Sequence, residues 1–487
     1  MANATATAEA AVASIRSQNP EMRLDGARKV RKLLSPCRRC AKETDPPVQE
    51  VLDAGLLDDL IGCLAAGNDT KLQFEAAWAI TNIASSDQTY VVVDAGACPI
   101  LIELLTSESH DVREQCIWCL GNVAGDRVAY RDELLNHATM MPALLQNFEY
   151  EMGQESPNMS LLRNATWLLS NLCRAKPVPA FALLQPALPY LKKLLVSNDA
   201  DILSDACWAA SYLTDGDDAR IEGFVRTGVV ERFCELMQHN SDTITTPAVR
   251  VIGNIVSGND MSTQSVVDAG GIGVLGGLMD HKKKSVRKEV CWALSNITAG
   301  SIKQIKDVLR HGAIIRKAVS LMAEGEWDVR KEACYIVCNA MTTGKDDEVQ
   351  KCAEGGAIKG MCTLLQANDV KIILVVLESM EVMLKLGVKR GTTAYTDALE
   401  EEGGIDALEN LQEHENNDVY EKAAAIVEKF FGGEDGSEDE NVAPAFNPVA
   451  AGDSGATKTF SFGSSNSAAA PSRQAGGFSF GGSVMGN

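Results

Sequence analysis

Residues 291–300 read CWALSNITAG, and their reading decides the fold because the same shape returns along the chain, as AVRVIGNIVSG at 248–258 and CYIVCNAMTTG at 334–344. Working outward, Trp292 closes a series of five tryptophans, Trp78, Trp118, Trp167, Trp208 and Trp292, with gaps of 40, 49, 41 and 84 residues. The last gap is twice 42, its midpoint falls on Arg250, and Tyr335 lies one period beyond Trp292. A second series keeps step. Asp53-Ala54-Gly55, Asp94-Ala95-Gly96, Asp268-Ala269-Gly270 and His311-Gly312-Ala313 each precede an apolar stretch, and the intervals from Gly228 to Gly270 and from Gly270 to Gly312 are both 42 residues. That period is the length of an armadillo or HEAT unit. Apolar residues inside each unit fall at helical spacing, as at Leu101, Leu104 and Leu105, and glycine after Asp-Ala supplies the bend between helices. A single unit cannot bury its own apolar face, so units must stack. The expected fold is all-α: a right-handed superhelical solenoid of about ten armadillo repeats over residues 15–431, with a long concave surface. A short extension, 1–14, precedes it, and a disordered acidic, Gly/Ser-rich tail, 432–487, follows.

Composition agrees with a large core, since hydrophobic residues make up 45% of 487 and charged residues 23%. Acids outnumber bases 66 to 45, a net charge of -21, which argues against nucleic acid and for basic partners. No stretch has the length of a membrane span, and Met1–Ser14, MANATATAEAAVAS, carries neither a charged nor an apolar leader region. The fourteen cysteines lie at irregular intervals, mostly inside apolar runs, the pattern of a reduced, intracellular protein.

The aromatic series carries a second regularity. Asparagine follows four residues later in Trp78/Asn82, Trp118/Asn122, Trp167/Asn171, Trp292/Asn296 and Tyr335/Asn339; Arg250/Asn254 keeps the amide alone and Trp208/Tyr212 the aromatic alone. Positions i and i+4 share a helix face, as do Gln115, Asn164, Asp205, Glu289 and Glu332, each three residues before a ladder aromatic. A rung of aromatic, amide and acid recurring in every unit suits an extended peptide. Amides pair with its backbone, indoles sandwich the stems of Lys or Arg, and carboxylates select the charged head. The alternative, that these tryptophans are core residues only, explains a single one better than five in register.

FEAAWAITNIAS, VREQCIWCLGNVAGD, LLRNATWLLSNLCR, ACWAASYLTDG, CWALSNITAG and LQEHENNDVYEKAAAIVEKFF resemble importin-alpha (karyopherin-alpha), the armadillo adaptor that recognises nuclear localisation signals, and ARKVRKLLS at 27–35 extends the likeness. The resemblance implies a major signal site at Trp78, Asn82, Thr89, Gln115, Trp118, Asn122, Asp126, Asn164, Trp167, Asn171 and Arg174, with Asp126 pairing the critical lysine and Thr89 helping to hold it. It implies a minor site at Asp205, Trp208, Tyr212, Arg250, Asn254, Glu289, Trp292, Asn296, Glu332, Tyr335 and Asn339. The implied partners are signal-bearing cargo, importin-beta and the export receptor that recycles the adaptor, with shuttling between cytoplasm and nucleus, no cofactor and no catalysis. Tyr335 stands where the family has Trp, and the loop IASSDQT after Asn82 is about two residues shorter than the family's form. The family's basic importin-beta-binding segment has no counterpart before the first repeat, where residues 1–14 carry no charged side chain but Glu9, so the ladder is expected to stand open. The basic cluster Arg28, Lys29, Arg31 and Lys32 reads as a solvated helix face.

The tail holds an acidic run, Glu434–Glu440, and two FxFG motifs, Phe460-Ser-Phe462-Gly and Phe478-Ser-Phe480-Gly. They resemble nucleoporin motifs, and contact with nucleoporins or importin-beta is the role they would imply. Gly271-x-Gly273-x-x-Gly276 matches a dinucleotide fingerprint, but it sits in register with the repeat junctions and lacks a βαβ frame. Cys37-x-x-Cys40 and Cys116-x-x-Cys119 have ligand-like spacing without a second pair or a nearby His. The six histidines do not cluster, and no nucleophile or phosphate-loop motif is present. Two further classes remain: a catenin-like scaffold, and a chaperone for basic proteins not coupled to importin-beta.

Overall fold

The computed structural model describes residues 2–35 and 46–432. Cys37, Cys40, the acidic run and both FxFG motifs lie outside the described residues. Every regular element among those described is helical, and none of these helices is long and apolar enough to cross a membrane. The chain divides into two compact units, one ending at Gly216 and one beginning at Asp217.

The repeat is two short helices followed by a long one, as in Val48–Asp53, Leu56–Leu64 and Thr70–Ala84. The bend between the short helices falls where the sequence places it. Gly55, Gly96 and Gly270 have φ of 67°, 73° and 77°, a left-handed conformation that side chains resist. Gly312 departs from the pattern at φ -53°, so the His311-Gly312-Ala313 junction turns without left-handed backbone.

In the first unit the long helices are α1 (Ala2–Ile15), α2 (Pro20–Leu34), α3 (Thr70–Ala84), α4 (His110–Asp126), α5 (Met159–Cys173) and α6 (Ala200–Thr214). Each packs against the next of these, α1 and α2 forming the opening pair. In the second unit they are α7 (Asp242–Val256), α8 (Lys284–Thr298), α9 (Trp327–Thr343), α10 (Val370–Arg390) and α11 (Asn417–Phe431), again packed in order. Their apolar faces form the core: Ala76, Ile80 and Ile83 on α3, Cys116, Leu120 and Val123 on α4, and Val290, Leu294 and Ile297 on α8 are all fully buried.

Residues 2–14, read as a short extension, are helical and lie in α1, which packs on α2. Ala8, Ala11 and Ile15 on α1 are buried, and a Cβ at Gly26 of α2 would sit 2.5 Å from the Ile15 backbone nitrogen, so only glycine admits this crossing. Cys116 and Cys119 are buried among the apolar residues of α4, where loss of hydration pushes both thiols well up. Gly271, Gly273 and Gly276 lie on the short helix Gly271–Leu278, directly after the left-handed Gly270.

Candidate functional site

The ladder helices α3 to α6 begin on side-chain caps, which fix where each helix starts and so which residues face together. Asp69, Ser109, Asn158 and Asp199 accept backbone N–H groups of the first turn. Trp78, Trp118 and Trp167 then emerge half-buried, with Asn82 and Asn122 half-buried one turn on. Three residues after each aromatic stands a small one, Thr81, Gly121, Ser170 and Ser211, and this makes room for the next rung. A Cβ at Gly121 would lie 2.4 Å from the Trp167 ring, so the indole rests directly on the α4 backbone.

The amides are tied down in the same places. Asn122 Nδ2 donates to the Thr81 carbonyl at 3.4 Å and Asn171 Nδ2 to the Gly121 carbonyl at 3.0 Å. One amide proton on each of these rungs is thus spent on the preceding repeat, and the side chain is half-buried at Asn122 and buried at Asn171. Two buried polar atoms here, Asn82 Nδ2 and Gln115 Oε1, have no hydrogen-bond partner among the described residues, and such atoms are costly unless something fills them.

The remaining first-unit residues are placed less uniformly. Asp126, the last residue of α4, is exposed and pairs with Arg127 at 3.0 Å. Thr89 is buried, and its hydroxyl donates within the loop, to the carbonyls of Ala84 at 2.9 Å and Ser86 at 3.1 Å, so it shapes the turn after α3. Asn164 donates to Glu114 at 3.4 Å, and Ser160 to the same carboxylate at 2.5 Å, while burial raises that acid above its usual range. Arg174 ends α5. Its carbonyl accepts from Arg131, a fully buried arginine that also donates to the Ala175 carbonyl at 2.9 Å and the Pro177 carbonyl at 2.8 Å. Arg131 was not legible as a site residue, because a helical arginine does not announce which distant carbonyls it will hold.

Asp205, Trp208 and Tyr212 lie on α6, within the first unit. The Trp208 and Tyr212 rings stack at 5.9 Å and 27°, and both are nearly covered.

In the second unit Trp292 lies on Gly253 as Trp167 lies on Gly121, with a Cβ there 2.5 Å from the ring. Asn339 Nδ2 donates to the Ser295 carbonyl at 3.0 Å, the same rung-to-carbonyl bond. Asn254 and Asn296 are buried on the same face. Arg250 Nη2 meets Glu289 Oε1 at 2.8 Å, while Glu289 Oε2 and Trp292 Nε1 have no hydrogen-bond partner among the described residues. Burial, reinforced by the neighbouring Glu289 and opposed by Lys288 and Lys331, pushes Glu332 up to about 7.

The basic cluster of α2 is not simply solvated. Arg28 and Arg31 converge on the buried Glu75, at 2.9 and 2.8 Å, and the Arg31 guanidinium lies 4.3 Å from the Trp78 ring centroid. The small residue before each asparagine (Thr81, Gly121, Ser170, Gly253, Ser295, Cys338) was visible in the sequence and would have shown where successive rings rest.

Comparison with known proteins agrees with this architecture. The armadillo/beta-catenin-like repeat matches at residues 44–85, 85–125 and 259–299, and an atypical Arm repeat at 393–445. Importin subunit alpha-1b of Oryza sativa subsp. japonica is 40% identical over 480 residues, covering 97% of this chain and 85% of that protein. Importin subunit alpha-3 of Arabidopsis thaliana is 43% identical over 446 residues, covering 89% and 82%. Among solved structures, an engineered protein superposes with a TM-score of 0.74 at 25% identity, covering 88% of this chain and 99% of its own.

Proposed function

The chain belongs to the importin subunit alpha family, and from that premise we propose that it is a nuclear import adaptor. It takes Lys/Arg-rich nuclear localisation signals in extended form and links their bearers to importin-beta, working in both cytoplasm and nucleus. The observation that carries the reading is the first-unit ladder: half-buried indoles of Trp78, Trp118 and Trp167 beside unpartnered Asn82 Nδ2 and Gln115 Oε1. Indole faces take the methylene stems of Lys and Arg. The asparagine amides meet the peptide backbone. Asp126, exposed at the C-terminal end of α4, offers its carboxylate to a lysine head. Arg250, Asn254, Glu289, Trp292, Asn296, Glu332, Tyr335 and Asn339 form a second, carboxylate-rich ladder for a second basic cluster. The export receptor that recycles the adaptor and FxFG-type contacts of the tail complete the proposed set of partners.

The test is fluorescence polarisation with a labelled short Lys/Arg peptide, comparing the wild type with Asp126→Lys and with Trp118→Ala/Asn122→Ala. Binding that both variants abolish, and that a Lys→Ala peptide also fails to show, supports the reading. Undiminished binding by both variants rejects the first ladder as the site. A pull-down then separates the adaptor from a chaperone of basic proteins: cargo retention without importin-beta capture favours the chaperone.

A further inference from the structure

The first aromatic of the ladder already holds a cation. Arg31 of α2 sets its guanidinium 4.3 Å from the Trp78 centroid, within the range of a cation–π contact, and its side chain is only 17% exposed. Glu75 fixes it there. One carboxylate oxygen takes Arg31 Nε at 2.8 Å and the other takes Arg28 Nε at 2.9 Å, so the acid is held from two sides. The edge of Phe74 packs on Trp78 with centroids 5.5 Å apart. No aromatic residue occurs in α2, so no second indole can line a slot on that side.

The ion pair of this arrangement has a counterpart in the second unit. Arg250 of α7 pairs with Glu289, which stands three residues before Trp292, as Glu75 stands three before Trp78. Each ladder therefore opens on an arginine from the preceding long helix, paired to the acid one turn before its first ring.

Building on the proposed peptide-binding function, we propose that Arg31 is a resident occupant of the first aromatic slot. It ends the ladder at Trp78 and fixes which end of a bound basic peptide must stop there. A peptide with further Lys or Arg residues at that end has to compete with Arg31 for the Trp78 face and gains nothing from them. Removing Arg31 opens the slot, and Arg28 remains to hold Glu75.

The experiment uses the full chain and three labelled peptides: a five-residue Lys/Arg core, the core with two arginines added at its N-terminal end, and the core with two added at its C-terminal end. Wild type, Arg31→Ala, Arg31→Met and the control Lys29→Ala are compared by fluorescence polarisation. Arg31→Met keeps an apolar stem over Trp78, and Lys29 is a half-exposed cation on the same helix, paired with Asp25. The expected result is that Arg31→Ala binds one of the two extended peptides about tenfold more tightly than wild type does, the size of one cation–aromatic contact. The core, the other extended peptide and the Lys29→Ala protein change by less than about twofold. Equal gains for all three peptides would reduce Arg31 to a general charge effect and overturn the proposal, as would unchanged binding of both extended peptides. If Arg31→Ala unfolds, the same end-selective gain in Arg31→Met decides the matter, and its absence overturns the proposal. Failure of wild type to bind even the core peptide would reject the peptide-binding reading itself, and this inference with it.

Discussion

The two ladders are written in the same residues yet stand differently. In the first unit Trp78, Trp118 and Trp167 are half-buried, and α3 to α6 all start on side-chain caps. In the second, Trp292 and Tyr335 are only 5% and 6% exposed, and α7, α8 and α9 start on Ser241, Lys283 and Glu326 without a side-chain cap bond. The first offers ring faces. The second sets two carboxylates beside rings that are largely covered: Glu289, itself buried and paired with Arg250, and the half-buried Glu332. One repeat pattern thus carries two proposed sites that differ in surface, the first with more of its rings open than the second.

The sharpest break in that contrast is Trp118→Ala/Asn122→Ala. It should weaken binding of a basic peptide by about a hundredfold, because it removes an indole face and its tethered amide together. The matching pair Tyr335→Ala/Asn339→Ala should cost about tenfold or less, since so little of that ring is open to a ligand. Polarisation titrations with a single-cluster peptide check both, and equal losses would erase the distinction.

Next in size is Gly121→Ala. Its Cβ would meet the Trp167 ring at 2.4 Å, and overpacking of this kind costs about 1–3 kcal/mol. Gly253→Ala should cost a similar amount against Trp292. Urea unfolding reads the stability, and peptide affinity should fall for Gly121→Ala alone if the first ladder leads binding.

Charge in the second ladder gives a smaller, signed effect. Glu332, raised to about 7 by burial, is mostly protonated at pH 6 and mostly ionised at pH 8. Only the ionised form attracts Lys or Arg, so peptide binding to a protein whose first ladder is disabled should strengthen with pH by about threefold across this range. Glu332→Gln should flatten the dependence. The smallest difference lies in the caps: Asp69→Ala should lower stability by about 1 kcal/mol, whereas Ser241→Ala should change it by less than about 0.5 kcal/mol.

Much of this was written in one dimension. The step from Gly55 to Gly96 and the Trp–Asn spacing read as stacked helices with one decorated face, because periodicity survives translation into sequence. What lay between repeats did not. Arg31 and Glu75 are 44 residues apart, and nothing in either neighbourhood says that they meet, so a cation that faces a ring read as solvated. The helix α1 was missed because Ala8 and Ala11 carry little apolar signal by themselves, and the close approach of Ile15 to Gly26 cannot be read from an ordinary-looking glycine. The placement of Trp208 and Tyr212 in the first unit is likewise a matter of how helices cluster, not of what they contain.

Three rungs carry a bond from the asparagine amide to the carbonyl behind it, and this bears on which peptides would bind. Asn122, Asn171 and Asn339 are pinned before anything arrives, so the receiving wall loses little freedom when a chain is laid along it. The disorder given up on association then falls almost wholly on the guest. Between two signals with the same lysines and arginines, the one whose flanks are already extended, by proline for example, should outbind the one whose flanks are glycine.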